Sequence, residues 1–224
     1  MSPQFAGWVA VRTYIEVQVL RLSHGWTLSG SLGIPQTLVR EFIRPAVHAV
    51  PTSMARRLGT CCISLSAEPG TTINSQWTET RTCLEISVVI TDREEHDIAM
   101  DLLVCFGQAL WEKLSDAELR AYWLVLSEEI GSGVTGEIDE EALEEKRSLL
   151  ASRSHASSRR RLAGYGRASF AGTAAEYVHC LWHDVTTRTG PGYLPAPYLR
   201  RRLDLLARSF PPDRGYHLFP RSGS

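Results

Sequence analysis

The stretch MDLLVCFGQALWEKLSD, Met100 to Asp116, decides how the rest of the chain is read. Taken with the residues before it, Ile98, Leu102, Leu103, Phe106, Leu110 and Trp111 recur at helical spacing, so an α-helix starting near Glu94 buries one broad face. Directly upstream, TCLEISVVIT (82–91) is rich in β-branched residues and reads as a central strand. A strand that hands the chain straight to a long amphipathic helix sets the frame for both flanks.

Working towards the N-terminus, INSQWTET (73–80) alternates as a candidate edge strand, EPGTT (68–72) is turn chemistry, and TCCISLSA (60–67) is a third strand. PTSMARRLG (51–59) reads as a short helix. PQTLVREFIRPAVHAV (35–50) has Leu38, Val39, Phe42 and Ile43 at helical spacing, with Pro45 expected to end or kink the helix. HGWTLSGSLG (24–33) reads as turn and loop, and residues 7–22 leave strand and short helix open.

Towards the C-terminus the signals are helical. SDAELRAYWLVLSEEIG (115–131) has Ser115 as N-cap, Glu118 as its capping-box partner and Gly131 as the stop. DEEALEEKRSLLAS (139–152) starts acidic and turns basic, as the helix dipole prefers. The Ser-, Arg- and Gly-rich stretch 152–172 reads as loop, TAAEYVHCLWHDVTTR (173–188) as helix, and YLRRRLDLLARSF (198–210) as a last amphipathic helix before an irregular tail. Strands first and helices afterwards give an α+β class: a small, mostly antiparallel or mixed sheet packed on the helix of 94–111, followed by a helical subdomain. The organisation expected is one folded unit, with residues 1–58 as an N-terminal segment packed on a main domain of 59–224.

Composition narrows the function classes. Twenty-four basic against twenty-five acidic residues give a net charge of −1, so no global field marks a nucleic-acid binder. Charge is segregated locally, with EIDEEALEEK (137–146) read as a solvated helix face and SRSHASSRRR (152–161) as an exposed loop that could meet an anion. Five cysteines, Cys61, Cys62, Cys83, Cys105 and Cys180, have no C-x-x-C spacing and point to a reducing compartment, hence a cytoplasmic expectation. Arg12 and Glu16 interrupt the apolar N-terminal run, which reads as neither signal peptide nor membrane span.

Within the opening stretch, VCFGQA (104–109) has the frame of an HExxH zinc helix, in which two histidines one turn apart bind the ion and the adjacent Glu polarises its water. Val104 and Gln108 stand at the two histidine positions and Cys105 at the Glu position. Downstream, SFAGTAAEYVHCLWHDV (169–185) resembles the helix that supplies the third zinc ligand in zincin-like, gluzincin-type metallopeptidases of the anthrax lethal factor catalytic-domain family. The resemblance covers roughly Leu84 to His183 and the closing 193–211 segment. It places Glu176 at the third-ligand position, Tyr177 and Val178 at the two aromatic positions behind it, and Cys180 at a second Glu position. For the family's catalytic tyrosine, Tyr165 keeps the wording of the motif but lies out of register, and Phe170 is nearly in register without a hydroxyl.

The chemistry of these substitutions implies a shell without its catalysis. Valine has no lone pair and a glutamine carbonyl is a weak ligand, so Val104 and Gln108 do not hold zinc. A thiol with a reference pKa near 8.5 is not a base, so Cys105 does not activate water. The expectation is a metallopeptidase homologue without cofactor, acting as a peptide- or protein-binding module, with Gln108, Glu176 and Trp77 in the old cleft and Gln108 donating an amide hydrogen bond to Glu176. The alternative is a metal-dependent peptidase with a zinc site rebuilt from Glu176, His179, Cys180 and His183, which share a helical stripe. A third reading is an α+β interaction protein whose basic run meets an anionic partner. Trp111, Trp123 and Trp182 are expected to pack rather than to bind.

Overall fold

The computed structural model describes residues 18–30, 34–67, 74–151, 155–183, 190 and 192–219. The chain has the α+β class expected of it. Strands β1 (Gln18–Arg21), β2 (Thr27–Gly30), β3 (Cys61–Ser66), β4 (Ser75–Glu79) and β5 (Leu84–Val89) form one sheet in the order β1-β2-β3-β5-β4. Its middle is parallel, β2 with β3 and β3 with β5, and both outer strands are antiparallel. The register stacks Cys61 on Leu84, Ile63 on Ile86 and Leu65 on Val88, and all six are buried. Period-two alternation therefore turns one sheet face to the helices, with Ser64 and Glu85 on the other.

Helices α1 (Arg44–Ala49) and α2 (Thr52–Leu58) form the crossover between β2 and β3. The chain passes Pro45 without breaking, because a π-helical turn over Leu38–Ile43 precedes it and the Arg44 amide reaches back to the Val39 carbonyl. That wider turn makes room for a ring that would clash with a tighter one. Helix α3 (Glu95–Trp111) then lies on the buried sheet face, where the Phe106 ring meets Trp26 at 4.9 Å between centroids. The second half supplies α4 (Asp116–Gly131), α5 (Glu140–Leu150), α6 (His155–Trp182) and α7 (Ala196–Ser209). The capping box of Ser115 and Glu118 and the stop at Gly131 fall where the sequence puts them.

Two loop readings are corrected. The loop reading of 24–33 misses β2: His24 and Gly25 turn the chain at positive φ, and Thr27–Gly30 then enters the sheet with Leu28 buried and the Trp26 indole donating to the Gly59 carbonyl at 2.8 Å. Four residues with a single leucine are too short to show alternation. The loop reading of 152–172 fails from His155 onward, since α6 runs unbroken to Trp182. Its glycines are packing notches: a Cβ on Gly166 would lie 2.3 Å from the Trp123 ring, and one on Gly172 would lie 1.9 Å from the Asp139 carboxylate. Gly107 serves α3 in the same way, because a Cβ there would lie 2.7 Å from the backbone of Ala171. The two long helices thus cross at backbone contact.

The acidic run 137–146 is not simply a solvated face either. Glu137 and Lys146 are buried, and with Glu129 and Arg202 they make a network joining four elements. Arg202 on α7 forks over both carboxylates, Nε to Glu129 at 3.1 Å and Nη1 to Glu137 at 2.8 Å, with a further bond to Ser169 at 2.7 Å. Lys146 adds Glu137 at 2.9 Å and the Gly136 carbonyl at 3.0 Å. Two cations meet two anions, so the interior carries no net charge there. The Arg202 guanidinium, helped by Lys146, outweighs the desolvation of Glu137 and holds its carboxyl below the usual range.

A cavity at the crossing of two helices

The close approach of Gly107 to Ala171 fixes where α3 and α6 diverge, and the space beside the crossing is a cavity of about 190 Å³. Its apolar wall comes from Met100 and Val104 on α3, Ala175 on α6, and Leu194 and Leu199. Its charged lining is acidic, Asp97 and Asp101 on α3, Glu137 and Asp139 before α5, and Glu176 on α6, and Tyr193 lines it as well. Among the described residues no lysine or arginine lines it. Of these carboxylates, Asp101 is paired with Arg93 at 2.8 Å and Glu137 belongs to the buried network. Asp139 accepts the Ala142 amide at 2.8 Å as the N-cap of α5, and burial pushes its carboxyl up to about 6, with Glu141 and Glu137 adding to the rise.

One side of the cavity is pinned by backbone. The Glu137 amide donates to the Gly192 carbonyl at 3.1 Å and the Leu194 amide to the Glu137 carbonyl at 3.0 Å. Gly136 allows it, since a Cβ there would sit 2.0 Å from the Tyr193 carbonyl oxygen.

The residues singled out in the sequence distribute themselves as follows. Val104 and Glu176 face the same cavity from opposite helices. Gln108, one turn further along α3, accepts the Trp77 indole N–H at 3.1 Å, which ties edge strand β4 to this helix. Cys105 is buried, and desolvation pushes its thiol up to about 11 despite a hydrogen bond with Ser75. Such a thiol is neither base nor nucleophile at neutral pH. Tyr165 lies wholly inside the fold and donates to Glu137 at 2.6 Å, while Phe170 packs edge-on against Tyr122. Trp111, Trp123 and Trp182 are half-buried against the core.

The stripe of Glu176, His179, Cys180 and His183 is reordered by packing. Cys180 donates its thiol hydrogen to Glu176 at 3.6 Å, and burial beside that carboxylate holds the thiol well above its usual range. The His179 Nδ1 lies 3.8 Å from the Glu176 carboxylate. The His179 and His183 rings stack with centroids 5.4 Å apart. As the side chains stand, no three His, Cys, Asp or Glu groups among the described residues converge on one point in the manner of a metal cage. A residue that sequence reasoning passed over comes into this group: His96, in the first turn of α3, places its Nε2 3.1 Å from that of His179. It lies inside the charged run REEHD (93–97), at the start of α3.

Compared with family models, with curated proteins and with solved structures, the chain matches none. Among the described residues no helix is long and apolar enough to cross a membrane.

Proposed function

We propose that this chain is a zincin-like, gluzincin-type domain that has lost catalytic zinc and binds a segment of another polypeptide in the cleft between α3 and α6. The observation that supports this reading is the cavity itself, largely apolar on its walls and acidic in its charged lining, with Val104 on α3 facing it opposite Glu176 on α6. An apolar pocket with a few convergent polar groups is a general mark of a binding site. A charged lining that is acidic among the described residues selects a segment that brings a basic side chain beside an apolar one. Strand β4 pairs only with β5 among the described residues, so its other edge suits main-chain pairing with an extended segment.

The test is binding of a fluorescent, degenerate peptide library to the purified chain. Enrichment of peptides with a Lys or Arg next to an apolar residue, lost in Ala175→Trp, which fills the cavity, is the expected result. Hydrolysis of the library by metal-loaded protein, abolished in Glu176→Gln, would replace this reading with a working peptidase.

A further inference from the structure

Where α3 begins and α6 ends, His96 and His179 aim their Nε2 atoms at each other across 3.1 Å. Behind each ring stands a carboxylate: Asp97 lies 3.6 Å from the His96 Nδ1, and Glu176 lies 3.8 Å from the His179 Nδ1. A neutral imidazole carries one N–H, so one of its two nitrogens is a bare lone pair. If His96 donates from Nε2 to His179, the His96 Nδ1 lone pair faces Asp97. If His179 donates instead, its own Nδ1 lone pair faces Glu176. Either neutral arrangement sets a lone pair against an anion. The conflict is sharper at His179, which is 6% exposed and whose Nδ1 is buried with no hydrogen-bond partner.

A divalent cation between the two Nε2 atoms removes the conflict. Both rings then keep their proton on Nδ1, facing the carboxylates at 3.6 and 3.8 Å, and both turn a lone pair to the ion. This carboxylate–histidine–metal relay is how ligand tautomers are usually held. The distance fits as well: two nitrogens each 2.0–2.1 Å from a tetrahedral ion stand about 3.3 Å apart, close to the observed separation. A third imidazole is at hand. The His183 ring centroid lies 6.3 Å from that of His96 and 5.4 Å from that of His179, and His183 is exposed, so its ring can turn without disturbing the core.

We propose that His96 and His179 form a Zn²⁺ site, completed by His183 and solvent, that clamps the start of α3 to the end of α6. The ligands differ from the positions of an HExxH helix, and the two nearby carboxylates face the ligand rings, so its role is structural or regulatory. It also reaches the cleft: Asp97 and Glu176, the two carboxylates that orient the ligands, both line the cavity. Metal occupancy therefore sets how much negative charge the cavity presents to an occupant.

The experiment is Zn²⁺ titration of chelator-treated, tag-free protein by calorimetry, with Co²⁺ absorption reporting geometry. One equivalent of Zn²⁺, a tetrahedral Co²⁺ spectrum and a rise in the thermal midpoint are expected. Uptake should vanish in His96→Ala, which is partly exposed and should fold, and fall 10- to 100-fold in Asp97→Asn, where only the orienting carboxylate is lost. No uptake at micromolar Zn²⁺ would overturn the proposal, as would full uptake by His96→Ala. So would nitrogen NMR of the metal-treated protein showing an imidazolium proton shared by the two rings, since a proton can satisfy the same contacts.

Discussion

Replacement of Arg202 by Met is the sharpest perturbation of this fold. The guanidinium is completely buried and bonds Glu129, Glu137 and Ser169, so its removal leaves two buried carboxylates with only Lys146 as counter-charge. Breaking a buried pair from one side costs about 3–5 kcal/mol. In a chain of this size each kcal/mol moves the midpoint by about 2–4 °C, so the thermal midpoint should fall by roughly 6–20 °C. The same change made together with Glu129→Leu restores charge balance, because Lys146 then faces Glu137 alone. The double variant should be more stable than Arg202→Met. A pH series separates charge from packing. In the native chain the Glu137 carboxyl is held below its ordinary value, so its contribution is present above about pH 4.5 and is lost as pH falls through the lowered value. In Arg202→Met desolvation of Glu137 acts with less opposition and raises its carboxyl, so the deficit should shrink as pH falls. Urea unfolding by circular dichroism at pH 5 and pH 8 reads both effects. A loss under about 1 kcal/mol for the single variant, or a double variant less stable than the single one, would refute the account of the network.

Three further outcomes follow from the geometry. Gly107→Ala gains up to about 1 kcal/mol of helix propensity but drives a methyl to 2.7 Å from the Ala171 backbone, so a net loss of about 1–2 kcal/mol in urea unfolding is expected, and a gain would show that the helices do not cross there. Asp139, raised to about 6, destabilises the fold as pH climbs from 4 through 6. Asp139→Asn keeps an acceptor for Ala142 and should exceed the native chain at pH 8 by about 1–3 kcal/mol, with the advantage gone at pH 4. Cys105 should resist iodoacetamide at pH 8 in the folded protein while half-buried Cys62 reacts, as peptide mass mapping would show, and fast labelling of Cys105 would contradict its burial.

The parts of this fold that were legible in the sequence are those whose causes are local. Ser115 and Glu118 cap α4 because three residues carry the whole interaction, and the buried rows of β3 and β5 alternate within six residues each. Helix α6 was hidden because its causes lie elsewhere in the chain. Gly164, Gly166 and Gly172 look like breakers until Glu145, Trp123 and Asp139 are seen filling the notches. Arg200, Arg201 and Arg202 are indistinguishable in RRR, and only helix phase sends the third one inward while Arg201 pairs at the surface with Glu128. At the cavity, Val104 and Glu176 line one space from two helices, while Gln108, expected beside Glu176, accepts the Trp77 indole. The place of Asp139 there was not legible, since it comes from a run that reads as a solvated helix face.

Two acidic assemblies lie side by side in this protein, and the difference between them separates structure from function. Glu129 and Glu137 are matched by Arg202 and Lys146, and every bond in that set is made within the helical half, so its work ends with folding. In the adjoining cavity Arg93 answers Asp101, but among the described residues no lysine or arginine lines the space, and Asp139 shows the cost in a carboxyl that resists ionising. A fold that closes one buried charge set so completely has the means to close the next. Leaving the cavity acidic is a standing cost to stability that a bound cation, whether a basic side chain in the cleft or an ion at His96 and His179, would relieve.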